Sequence, residues 1–109
     1  MRLNRHLMAG LAGALLTLPL AAGSAMAADG ASLYQAKTCF ACHGPDANTP
    51  IMPLYPKLAG QNKEYAVQQM KDIKSGARAN GMSPAMKAIM QSVSDDEIAA
   101  IAEWLATLQ

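Results

Sequence analysis

The sequence predicts an all-α domain, three main helices joined by long loops, and three observations carry that prediction. No stretch alternates apolar and polar residues at period two for long enough to make a strand. Three segments instead place apolar residues at helical spacing behind recognisable N-caps. The connections between them are long and rich in proline and turn formers.

The chain of 109 residues opens with Arg2 and Arg5, then runs apolar and small from Leu7 to Ala22. It reaches Ala25-Met26-Ala27, the small-x-small pattern after which a signal peptidase cuts. Residues 1–27 are therefore expected to be a secretory signal peptide, and residues 28–109 one small domain. An uncleaved anchor fits less well, because the apolar run is short and Pro19 and the glycines weaken it. His6 falls in this segment and is given no role.

The first helix is expected over "DGASLYQAKTCFACH", with Asp29 as N-cap and Leu33, Ala36 and Phe40 at helical spacing. "GPDANTPIMPLYP" follows, with Pro45, Pro50, Pro53 and Pro56, and reads as loop. Asn62 caps the second helix, "KEYAVQQMKDIKS", whose face carries Tyr65 or Ala66, Met70 and Ile73, and which Gly76 ends. "GARANGMSPAM" reads as irregular, with a short helical piece around Met86–Met90. Ser94 and Glu97 form a capping box for "DDEIAAIAEWLATL", backed by Asp95 and Asp96 at the positive helix end. Its stripe is Ile98, Ile101, Ala102, Leu105 and Leu108.

A domain this small builds an ordinary core worth only a few kcal/mol. Its aromatic residues are few: Tyr34, Phe40, Tyr55, Tyr65 and Trp104. Long loops carrying methionine and proline, not the polar residues of disorder, suggest chain wrapped around an apolar object. The formal net charge is +1, so no basic stripe points to nucleic acid and no polybasic anchor points to lipid.

"CFACH", from Cys39 to His43, contains both cysteines of the chain. A closed zinc site would need four ligands, and no second Cys/His pair exists. A thioredoxin-like redox pair sits on a βαβ framework that this chain lacks. A structural disulfide between Cys39 and Cys42 would close too small a loop to stabilise much. The remaining reading is attachment of one c-type haem, which this spacing signals directly. Cys39 and Cys42 would project from one turn toward the vinyl groups at one ring edge. His43 would then take the iron as axial imidazole.

With no second histidine after residue 27, a methionine is expected on the other face. Met52, Met70, Met82, Met86 and Met90 are the candidates, and Met70 reads as core filler. Met52 follows the haem motif closely, in chain that must first turn back past the histidine side. Spacing alone leaves Met82, Met86 and Met90 open.

From Gly30 to Leu108 the chain resembles the class I c-type cytochromes, in particular the small single-haem bacterial ones of the c-553-like kind. "GASLYQAKTCFACHG", "PKLAGQNKEYAVQQMKDIKSG" and "MKAIMQSVSDDEIAAIAEWL" carry the resemblance. It implies the cytochrome c fold, with the loops wrapped around the haem. The family's ligand methionine precedes the "LSD"-like start of the last helix by about two helical turns. Here that start is Val93–Asp95, which implies Met86, ahead of Met82 and then Met90. The proline of the family's "P-x-L" stretch is matched by Pro56, whose carbonyl would meet the other nitrogen of His43. Gly30 and Trp104 match the place where first and last helices cross. The chain departs from the pattern at Ala47, where a glycine is usual; a turn needing positive φ would strain it, with a local adjustment expected.

A His/Met-ligated iron has no open position and exchanges one electron with little rearrangement. The expected function is a periplasmic one-electron carrier, not an enzyme, meeting periplasmic or membrane-bound redox proteins through the exposed haem edge. The contact would be small and transient, with the protein a monomer or weak dimer. Lys57, Lys63 and Lys71 read as a solvated face more than a docking ring. Two other readings stand beside this one: a cytochrome subunit of a complex oxidising sulfide, thiosulfate or an alcohol, and a gas-binding haem sensor or weak peroxidase.

Overall fold

A computed structural model describes Gly13, Ala14 and residues 29–109. The expected signal peptide, apart from those first two residues, lies outside the described residues. The described residues form five helices and no strand: α1 Gly30–Ala36, α2 Phe40–His43, α3 Lys63–Ser75, α4 Ser83–Met90 and α5 Asp95–Thr107.

The expected single first helix is broken in two. Asp29 caps α1 by accepting the Ser32 N–H at 2.8 Å. The helix ends at Ala36, and Thr38 turns the chain with a φ of 62°, left-handed for a β-branched residue. The Cys39 N–H then bonds back to the Tyr34 carbonyl at 3.0 Å, and Cys39 starts the new turn as N-cap of α2. A continuous helix would place Cys39 on the face opposite Leu33 and Tyr34, which are buried in the core; the break re-aims it.

The longer helices follow their local signals. Asn62 caps α3 by accepting from Tyr65 N at 3.0 Å, and Gly76 ends it in the left-handed conformation at φ 89°. Ala66, not Tyr65, is the buried member of its face. Ser94 and Glu97 close the capping box on α5. Helix α4 is longer than the expected Met86–Met90 piece, because Pro84 sits in its first turn, where a missing N–H does no harm.

Helix α5 packs on both α1 and α3, and α3 also packs on α4. Where α1 crosses α5, a Cβ on Gly30 would overlap the Ala100 carbonyl oxygen and the Trp104 Cβ, so only glycine allows the approach. Tyr34 lies beside Trp104, their ring centroids 5.0 Å apart. Ile98, Ile101, Leu105 and Val93 complete the centre of the core.

Candidate functional site

The site is built by the turn of α2 and the loop after it. Cys42 N and His43 N both bond to the Cys39 carbonyl, at 3.3 and 3.0 Å, which winds Cys39, Cys42 and His43 into one turn. The loop is then tied down link by link. Buried Tyr34 donates its hydroxyl to the Gly44 carbonyl at 2.5 Å. Asp46 accepts the N–H groups of Asn48 and Thr49, each at 2.9 Å, and those bonds hold its carboxyl below the usual range.

Ala47 keeps the left-handed conformation at φ 58° and is completely buried. The turn does take the positive φ that a glycine would adopt freely, so the alanine bears the strain. Its carbonyl accepts Leu58 N at 2.8 Å and Ala59 N at 3.0 Å, which returns the loop past His43. There the Pro56 carbonyl oxygen lies 2.9 Å from His43 Nδ1. That bond makes Nδ1 the donor and leaves the Nε2 lone pair for a metal. Burial pushes the pKa of His43 down, against a smaller opposing effect of the Pro56 bond, so the ring is neutral at neutral pH. Burial pushes the Cys39 thiol up.

Cys39, Cys42 and His43 open onto a mostly apolar cavity of about 320 Å³, within the range of cofactor sites. Met70 of α3 and Met82, Met86 and Met90 at α4 line the same cavity. Among these, Met90 and Met70 are buried in the core, Met82 is exposed as N-cap of α4, and Met86 is half-buried. Met52 is exposed and does not line the cavity. The residues fit a haem: two thiols on one turn, an oriented imidazole, a thioether within the same cavity and an apolar lining. No group of three His, Cys, Asp or Glu side chains among the described residues is placed to hold a metal ion without such a ring.

Of the three lysines considered from the sequence, Lys57 lines the cavity and is not on a helix, while Lys63 of α3 stands 3.8 Å from Glu103. Sequence reasoning missed Arg78. It is half-buried on the cavity wall and donates to Gln69 Oε1 at 3.1 Å and Asn80 Oδ1 at 3.3 Å, with no carboxylate paired to it among the described residues. It is the only arginine after Arg5, a signal that could have singled it out.

An all-α domain that gathers a Cys-x-x-Cys-His turn and methionines around one cavity is a covalent haem domain. The chain belongs to the cytochrome c family, whose model, described as Cytochrome c, matches residues 27–109. It is 44% identical over 99 residues to a cytochrome c4 of Pseudomonas aeruginosa, covering 89% of this chain and 47% of that one. It is 36% identical over 108 residues to a thiosulfate dehydrogenase electron acceptor of Stutzerimonas stutzeri, covering 93% of this chain and 46% of that one. A cytochrome c-553 of Nitratidesulfovibrio vulgaris is 31% identical over 91 residues, with 84% of this chain and 87% of that one aligned. The chain thus spans about half the length of the first two relatives. As a member of the family it takes haem c, held covalently.

Proposed function

We infer that the chain is a one-electron carrier, not an enzyme, working in the periplasm after removal of residues 1–27. Cys39 and Cys42 attach the haem by adding their S–H bonds across its two vinyl groups, His43 Nε2 and the Met86 sulfur take the iron, and the Pro56 carbonyl fixes the imidazole plane. The observation that supports this most is the single cavity shared by the Cys39–His43 turn and Met86. The haem supplies the one-electron couple; the thioether and the apolar lining favour its ferrous form. The half-buried Arg78 cation would receive the haem's carboxylates.

Leu54, Met82 and Ile89 are exposed at the cavity. They give a small apolar rim suited to brief contact with redox proteins. Among the described residues, no helix is long and apolar enough to cross a membrane. The name of the Stutzerimonas stutzeri relative favours a second reading, in which this chain accepts electrons from an oxidoreductase acting on a small reduced sulfur compound.

The test is the absorption spectrum of the haem-loaded, reduced protein before and after carbon monoxide. An unchanged low-spin spectrum is expected. A shift would mean the sixth position opens and would favour the gas-sensor or peroxidase reading.

A further inference from the structure

Helix α4 carries Met86, and its burial is confined to its two ends. Of its residues, only Ser83 and Met90 are buried, and its main packing partner is α3. The turn that follows it, residues 91–94, closes its terminal carbonyls locally and is itself tied to α3 and α1 by side chains. Lys74, in the last turn of α3, donates Nζ to the Val93 carbonyl at 2.5 Å. Gln91, the C-cap of α4, returns a bond from Nε2 to the Lys74 carbonyl at 2.9 Å and also reaches the Lys87 carbonyl at 3.0 Å. Lys37 donates to the neighbouring Ser92 carbonyl at 2.7 Å, and its ammonium lies 3.4 Å from Glu97.

The end of α3 is therefore clasped to the C-cap of α4 and to the α4–α5 turn behind it. Lys74 is central, because its side chain holds the α4–α5 turn while its own carbonyl is held by Gln91.

We propose that Lys74 is a positioning residue for the sixth ligand: its bond to the α4–α5 turn, added to the burial of Met90, holds Met86 where it would ligate the iron. The proposal rests on Met86 being that ligand. Opening the clasp lets the C-terminal end of α4 fray, and Met86 lies one helical turn before that end. The fraction of molecules with an open iron then rises. The apparent affinity for an added ligand rises with that fraction.

The experiment titrates ferric, haem-loaded protein with imidazole and follows the far-red absorption band of methionine-bound haem. Lys74→Met is expected to bind imidazole roughly tenfold tighter than the unaltered protein, the size set by one partly exposed charge-assisted bond. Lys74→Arg, which keeps a cationic donor, should bind it nearly as weakly as the unaltered protein. Asn62→Ala removes a cap of similar worth at the far end of α3 and should leave imidazole affinity unchanged. If Lys74→Met does not change the affinity, or Asn62→Ala raises it equally, the proposal is overturned and Lys74 only adds general stability. Met86→Ala should abolish the far-red band before any titration; a retained band would instead defeat the ligand assignment on which the proposal stands.

Discussion

Replacing Gly30 with alanine tests the packing that holds the attachment turn against the rest of the domain. The added Cβ would fall inside contact distance of the Ala100 carbonyl oxygen and the Trp104 Cβ. Both obstacles are backbone or the root of a side chain, so no rotamer change relieves the overlap, and α1 and α5 must move apart. Overpacking of this kind costs about 1–3 kcal/mol. The loss should lie toward the upper end, because moving α1 also displaces Leu33 and Tyr34, which are 5% and 0% exposed. The better helix propensity of alanine returns at most about 1 kcal/mol. A net loss of about 2 kcal/mol is expected, a large share of the ~5–15 kcal/mol that stabilises a domain. Guanidinium titration of the haem-loaded protein, followed by circular dichroism and Trp104 fluorescence, would read it as a lower midpoint at unchanged slope. A loss below about 0.5 kcal/mol would refute the argument, since the helices could then separate at almost no cost.

Three further expectations follow from the site. Ala47→Gly should leave stability within about 1 kcal/mol of neutral, because relief of roughly 1–2 kcal/mol of left-handed strain offsets the lost methyl burial and the freer unfolded chain; Ala102→Gly, equally buried but helical, should cost about 2 kcal/mol in the same melts. Burial foremost, with the nearby Asp46 charge adding to it, pushes the Tyr34 phenol from 10.0 up to about 12. The unfolded chain therefore releases that proton first, and stability should fall as pH climbs from about 10 to about 12. Tyr34→Phe should remove its share of that alkaline slope in pH-dependent melts, at a cost of about 1 kcal/mol at neutral pH for the lost bond to Gly44. Arg78→Gln should lower the reduction potential by something on the order of tens of millivolts in voltammetry, since a cation beside the ring favours the added electron; an unchanged potential would mean the guanidinium does not sense the haem.

What was legible in the sequence was what adjacent residues decide. Asn62, Gly76 and the Ser94–Glu97 pair act within a turn of themselves, so the bounds of α3 and the start of α5 could be read directly. The Cys39–His43 spacing likewise names its chemistry locally. Thr38 hid the break in the first helix, because a left-handed threonine has no propensity signal to betray it. The start of α4 was readable in principle from Pro84 at a first-turn position, but glycine and proline together suggested loop. Lys74 could not be read at all, and Arg78 could be noticed only as the sole arginine after Arg5, without its role. Their roles depend on how α3 lies against α4 and against the cavity, and helix periodicity says which face a residue occupies without saying what it meets. The Gly30–Trp104 contact came only by resemblance, since nothing near either residue announces the other.

The crossing of α1 and α5 joins the beginning of the described domain to its end, with roughly 70 residues of chain between the partners. Closing so long a loop is slow and entropically unfavourable until everything between has collapsed. The Cys39–His43 turn, by contrast, needs only its immediate neighbours. The two thiols can thus be in place and chemically competent while the C-terminal helix is still undocked. The topology allows the attachment turn to form before the two ends of the domain have met.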